Sequence, residues 1–164
     1  MNIISVESVM EIDDLDRQLL QELMRNGRAT HFALSEVIGR SPSAIARRQR
    51  VLEESGFIAG YGARVDPRNF GWTTIVHIKM TLQGQSKAVL EAYETAIEAS
   101  PSVIRCDLMS GSDDYFVTVL ARSLDHFAEI HREELSQLPG VVRMESGFVL
   151  RQVVKERLPP GLHR

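Results

Sequence analysis

Four arginines, Arg40, Arg47, Arg48 and Arg50, fall in an eleven-residue stretch that holds no acid. A guanidinium is a rigid fork of donors that fits a phosphate or the edge of a guanine. The stretch has the marks of a helix with both ends written in. Ser41 is placed to cap the first free N–H groups, Pro42 suits the first helical position, and Gly56 suits the left-handed close. Ile45 and Leu52 recur at i and i+7 and face a core. Ser43, Arg47, Arg50 and Glu54 recur on the opposite side. Arg40, Ser41, Ser43, Ala44, Arg47, Arg48 and Arg50 are therefore the candidate DNA-binding residues, on a helix suited to the major groove. Taken alone, the helix is equally well a solvated arginine face. Arg48 lies between the two stripes and fits a structural bond as well as a phosphate contact.

A second group is the turn Gly111, Ser112, Asp113 and Asp114. Backbone N–H groups in such a turn hold a carboxylate, and an aspartate holds an ammonium group. The same residues also make an ordinary hairpin connection. Other chemistry is not indicated. His126 and His131 are five apart, off a single helix face, His77 falls on a strand, and His31 and His163 have no partner at ligand spacing, so no metal site is expected. Cys106 alternates with Ile104 and Leu108 and reads as a small core residue. Asp113 and Asp114 are neighbours at a strand end and point apart, which does not suit paired-acid catalysis. No nucleophile and base stand at a useful spacing, and no cofactor is called for.

The elements that must position these groups follow from periodicity. Ile12, Leu15, Leu19 and Leu23, with Leu20 and Met24, mark an amphipathic helix that ends near Asn26-Gly27. Thr30 caps a short helix with Leu34, Val37 and Ile38 inward, and Gly39 stops it. The arginine helix comes next, which completes a helix-turn-helix with the first helix behind it. Phe57 to Pro67 reads as a short strand or extended linker, with a boundary near Pro67 to Gly71. Then come a strand over Ile75 to Leu82 and a helix over Lys87 to Ala99. A strand over Val103 to Met109, the turn, and a strand over Tyr115 to Ala121 follow. A helix over Asp125 to Leu138 and a strand over Val141 to Leu150 complete the order. It is βαββαβ, the ferredoxin-like arrangement, so the chain reads as an α+β protein. The expected divisions are a helix-turn-helix domain over 11–63 and a linker strand over 64–73. A ferredoxin-like domain over 74–154 and a tail over 155–164 with Pro159-Pro160-Gly161 follow. The strand Tyr115 to Ala121 is apolar on both faces, and a second copy of the chain is the simplest cover for the face that the helices leave bare.

The totals bound the function. The 164 residues carry a net charge of −3, so nucleic-acid binding has to come from a local basic patch. A hydrophobic fraction of 43% and a charged fraction of 25% are those of a soluble globular protein. One cysteine permits no internal disulfide and fits a reducing cytoplasm. Met1 to Met10 lacks the basic start and apolar run of a signal peptide, and no run is long enough to span a bilayer.

In order and spacing, these motifs resemble the Lrp/AsnC family, the feast/famine regulators of bacteria and archaea. Leu15-Asp16-Arg17-Gln18-Leu19-Leu20 with Gly27-Arg28 resembles the family's opening helix. Ser41-Pro42-Ser43 through Arg48, then Leu52-Glu53-Glu54-Ser55-Gly56-Phe57-Ile58, resembles its recognition helix and the exit from it. Gly60-Tyr61-Gly62-Ala63 with Asp66-Pro67 and Gly71 resembles its linker. Ser110 to Tyr115 resembles its Gly-Asp-x-Asp turn, and Leu138-Pro139-Gly140-Val141 its entry to the last strand. The match runs from about Glu11 to Val154. The resemblance implies DNA binding by the first domain, and dimerisation and small-molecule sensing by the second. It also implies assembly of homodimers to octamers, and an amino acid bound beside Gly111, Ser112, Asp113 and Asp114. Two places depart from the family: Gln49 stands for an aliphatic residue on the inner stripe, and the first acid of the turn is displaced by one.

The leading expectation is a sequence-specific transcription regulator that answers to an amino acid or related metabolite. A DNA-compacting protein without an effector is the second class. An enzyme-regulatory subunit on the ferredoxin-like half is the third, and it lacks the catalytic cluster it would need.

Overall fold

A computed structural model describes residues 12–154. The run Met1–Met10 and the expected tail 155–164 lie outside the described residues, as does Glu11. Two compact units divide the chain, one running to Arg64 and the other from Val65 to Val153.

The first unit is built from three helices, α1 (Asp14–Arg25), α2 (His31–Ile38) and α3 (Pro42–Glu54). Each start is fixed by a side chain. Asp13 and Asp16 form a reciprocal capping box on α1, Thr30 accepts from Ala33 N–H on α2, and Ser41 accepts from Ala44 N–H on α3. Gly39, at φ 72°, makes the sharp turn between α2 and α3, where a Cβ would be strained. Leu19, Leu20, Leu23, Leu34, Ile45 and Leu52 form the core, with Ile12, Ala29, Ile38 and Ile58 packed against it. Each such aliphatic contributes about 1.5–3 kcal/mol when removed from water. Val37, expected inward, is 69% exposed. The eight-residue α2 turns only Leu34 and Ile38 toward the core, and Val37 falls off that stripe.

Residues 59–66 belong to neither helix nor strand, and Pro67–Phe70 form a 3-10 turn. The strand expected over 64–73 is therefore not formed in this single chain. Asp66 accepts from Arg68 N–H, and Pro67 has the φ that starts a turn, so the chain coils there.

The second unit follows the βαββαβ order. Its elements are β1 (Thr74–Leu82), α4 (Lys87–Glu98), β2 (Val103–Leu108), β3 (Tyr115–Ala121), α5 (Leu124–Glu133) and β4 (Val141–Phe148). The sheet is antiparallel in the order β2-β3-β1-β4. Val76, Ile78, Met80 and Leu82 of β1 and Tyr115, Val117, Val119 and Ala121 of β3 are buried in one core with Tyr93, Ile97, Phe127 and Ile130. Helix α5 stops at Glu133 rather than at Leu138. Glu134 turns back to accept from the N–H and hydroxyl of Ser102, and a 3-10 turn over Leu135–Gln137 carries Leu135 into the core. Gly140, at φ 74°, lies where a Cβ would come within 3.3 Å of Val89. Cys106 is half-buried against the core, but Ile104 and Leu108 beside it are 57% and 60% exposed. β2 is an edge strand, and a register shift between Val103 and Arg105 displaces Ile104.

The register places Ile75, His77, Phe116, Thr118 and Leu120 on the opposite sheet face. That face is mixed rather than purely apolar. The His77 ring packs on Phe116, and its Nδ1 lies 3.1 Å from the Thr118 hydroxyl. Arg105–Asp107 and Arg143–Glu145 form ion pairs along the outer strands.

The capping box sets an acid limit for the first unit. Asp13 titrates below the usual carboxylate range, chiefly because Asp16 N–H donates to it. A group whose folded pKa is depressed stabilises fully above its unfolded value and loses that stabilisation as the pH falls through the folded one. The melting temperature of the full chain should therefore drop on acidification below about pH 4. Asp13→Asn, which still caps but loses the charge paired with Arg48, should flatten that limb and melt below the wild type at neutral pH. Circular dichroism melts against pH provide the check.

Candidate DNA interface and effector turn

Helix α3 divides its residues by side. Ile45 and Leu52 are wholly buried, while Arg40, Ser41, Ser43, Arg47 and Arg50 are exposed and Ala44 is half-buried. Among the described residues, neither Arg47 nor Arg50 takes part in an ion pair. Arg40 donates to the Gly39 carbonyl at 3.3 Å and stays exposed in the turn. Ser41 spends its oxygen on the cap, with the Ser43 hydroxyl 3.2 Å away.

Arg48 stands apart from the other arginines. Its Nη1 donates to both oxygens of Asp16 at 2.9 Å and also pairs with Asp13. The Asp16 side chain is 6% exposed, so this guanidinium supplies the charge that lets a carboxylate sit inside the unit. Arg48 thus makes the structural bond of the two alternatives, as the tie between α3 and α1, with its side chain 30% exposed.

Gln49, the departure on the inner stripe, hydrogen-bonds rather than packs. Its Nε2 donates to Tyr61 Oη at 2.8 Å and to Glu53 Oε1 at 3.0 Å, and Tyr61 Oη donates to Glu53 Oε1 at 2.7 Å. The Tyr61 hydroxyl holds Glu53 below the usual carboxylate range. Burial, then the Glu53 carboxylate, pushes Tyr61 up to about 12.

The turn after β2 separates its four residues. Gly111, at φ 143°, and Ser112 are exposed, and Asp113 is half-buried. Asp114 is 6% exposed and faces into the unit. Its Oδ2 accepts from Leu82 N–H at 2.7 Å and its Oδ1 from the Gln85 amide at 2.8 Å. Its own N–H donates to the Met80 carbonyl. Asp114, one of the four residues expected beside an effector, is engaged through both oxygens in pinning the end of β1. Behind the turn, Tyr115 donates to Glu94 at 2.7 Å and its ring lies 4.4 Å from that of Tyr93. Burial raises both phenols above their ordinary range. No cluster of His, Cys, Asp and Glu among the described residues could hold a metal ion, and no described helix is long and apolar enough to cross a membrane.

These two structures, a capped helix with outward arginines and a four-stranded α+β unit, are matched by two family models. Residues 12–59 match a winged helix-turn-helix DNA-binding domain. Residues 73–159 match the Lrp/AsnC ligand-binding domain. The chain belongs to the Lrp/AsnC family. Its members are transcriptional regulators rather than enzymes. An uncharacterised HTH-type transcriptional regulator, y4sM, of Sinorhizobium fredii is 41% identical over 74% of this chain and 95% of its own length. The leucine-responsive regulatory protein of Escherichia coli is 32% identical over 87% of each chain. Among solved structures, a Neisseria meningitidis regulator in complex with L-Met superposes with a TM-score of 0.82 at 28% identity. It covers 88% of this chain and 94% of its own. Escherichia coli AsnC superposes with a TM-score of 0.79 at 25% identity, over 92% and 99%. The α+β fold with an N-terminal helix-turn-helix is that of Lrp/AsnC regulators.

Two substitutions test the assignments made from geometry. Arg48→Met strands the buried Asp16 carboxylate. It should cost roughly 2 kcal/mol in urea denaturation, less than a fully buried pair because Arg48 is partly solvated. Asp114→Ala leaves Leu82 N–H without its acceptor and should cost about 1–3 kcal/mol by the same measurement.

Proposed function

We propose that this Lrp/AsnC regulator reads DNA in a sequence-specific way through α3, and that an amino acid or related metabolite acts on it by shifting its assembly. The observation that carries the proposal is the division of α3: Ile45 and Leu52 are wholly buried, while Arg47 and Arg50 are exposed and outside any ion pair among the described residues. Arg40, Ser41, Ser43, Ala44, Arg47 and Arg50 are the proposed contacts to double-stranded DNA, with Arg48 behind them as a support. The domain limits of the sequence reading remain part of the proposal, with a fragment of residues 72–150 sufficient for self-association.

The effector site is proposed at the lip formed by the exposed Gly111 and Ser112 and the half-buried Asp113, with Asp114 holding the lip in place from inside. Asp113 is the acid placed to meet an ammonium group. The L-Met complex of the Neisseria meningitidis relative supports an amino-acid ligand. The bare sheet face with Ile75, Phe116 and Leu120 supports a homodimer, and assembly to an octamer is the further step the family likeness suggests. A ligand shifts assembly only by binding one state more tightly than another, and by linkage DNA shifts ligand affinity by the same factor.

Arg47→Ala and Arg50→Ala should each weaken operator binding while sedimentation stays as in the wild type. A lost base contact costs about 1–3 kcal/mol and relaxes sequence preference, and a lost phosphate contact lowers the salt slope by about 1. Fluorescence anisotropy at several salt concentrations separates the two. In a thermal-shift screen of the common L-amino acids, a binder should raise the melting temperature, and Asp113→Ala should abolish that rise. A rise retained in Asp113→Ala would place the ligand elsewhere.

A further inference from the structure

We infer that Tyr61 is a positioning residue: clamped to α3 by Gln49 and Glu53, it sets the direction in which the chain leaves the reading helix, and so the half-site spacing that the assembled regulator accepts. This rests on the proposed role of the protein as a multi-copy DNA reader.

The clamp is a closed triangle in which every proton is assigned. Both hydrogens of Gln49 Nε2 are used, one on Tyr61 Oη and one on Glu53 Oε1, and the Tyr61 hydroxyl gives its own proton to Glu53 Oε1. Reversing the Gln49 amide would set its oxygen against a carboxylate oxygen, so the amide has one workable orientation. In that orientation Gln49 Oε1 is buried and has no partner in the structure. An aliphatic residue would avoid that orphan acceptor, which costs stability. Gln49 is the residue type that gives up an inner apolar position in exchange for a grip on Tyr61.

The place of the clamp gives it its consequence. Backbone bonding ties the exit segment to α3 as far as Ile58, whose N–H donates to the Leu52 carbonyl at 3.0 Å. Tyr61 extends the tie three residues further, into a stretch that forms no helix or strand. It stands between Gly60 and Gly62, neither of which has an atom within 4 Å of where a Cβ would be. Glycines on both sides leave the local backbone with its widest choice of conformation. The side chain therefore does what the backbone there does not. A Cβ added at Gly27, just beyond α1, would come 3.5 Å from the Tyr61 ring, so the ring lies beside the bare glycine while its hydroxyl is bonded. Tyr61→Phe keeps the ring and removes only the bonds.

The experiment uses the full chain. Wild-type protein first selects sites from a random duplex library. The selected site is then rebuilt with 2 or about 5 base pairs inserted between half-sites, the latter about half a turn of DNA. Affinity is read by anisotropy beside a single half-site probe. The wild type should lose about tenfold or more at the half-turn insertion, because its reading helices then face different sides of the duplex. Tyr61→Phe should lose less than about threefold, with unchanged half-site affinity. Glu53→Gln retains an acceptor for Tyr61 and should stay strict. A Tyr61→Phe protein as strict as the wild type overturns the clamp, and so does a wild type indifferent to spacing. A wild type that selects no sequence overturns the regulator reading, and the clamp with it.

Discussion

The contact on which the reading domain depends is the ion pair of Arg48 with Asp16 and Asp13. It joins the helix that faces outward to the helix that backs it, across 32 residues of sequence. Both helices already share an aliphatic core, which resists separation but is non-directional. Arg48 Nη1, which donates to both oxygens of the buried Asp16 and pairs with Asp13, adds direction, because these acceptors must all gather around one nitrogen. It fixes how far α3 is rotated about its own axis. That rotation decides whether Arg47 and Arg50 point to solvent or skim the domain surface. The same Asp13 and Asp16 close the capping box of α1, so one cluster starts a helix and orients another.

The second unit uses a buried carboxylate in a comparable way. Asp114 belongs by sequence to an exposed turn and by contact to the interior. By accepting from Leu82 N–H and Gln85, it locks the β2–β3 turn to the end of β1. The lip Gly111, Ser112 and Asp113 is thereby presented on a fixed support. Exposed groups and the group that holds them in place are adjacent in sequence here, and only burial separates them.

The sequence was legible wherever the governing interaction is local. Ser41-Pro42, Thr30 and Gly39 mark their helix ends because caps and left-handed closes act within a few residues. The alternation of Val76, Ile78, Met80 and Leu82 announced β1 because its period is the geometry of a strand. The order of elements, and with it the fold class, followed from such signals. What escaped were ties between distant residues. Arg48 sits between the stripes of a helical wheel, which cannot name Asp16 as its partner. The hold of Asp114 on β1 is not legible in the turn, because Leu82 and Gln85 are 32 and 29 positions away. α5 was read too long because Glu134 answers to Ser102, 32 residues earlier. The clamp of Tyr61 was the nearest miss. Its three members lie within a dozen residues, but Gln49 was read as an exception in a stripe and Tyr61 as part of a linker.

Strand β2 carries a consequence for the life of the protein in a crowded cell. One of its sides is bonded to β3, and as the end of the sheet its other side has no strand beside it. Ile104 and Leu108 stand exposed along it. An edge of this kind is a template onto which a stray strand can add, and each addition offers a fresh edge, so growth by that route has no natural end. The molecule carries two deterrents at the same place. The irregular register at Ile104 spoils the straight ladder that an incoming strand would need. Arg105 and Asp107 set opposite charges two residues apart on an otherwise inviting surface, and they satisfy each other rather than an intruder. Fibre-like stacking is thereby discouraged at the edge, while the broad face of the sheet is left free for the closed, self-limiting pairing proposed above.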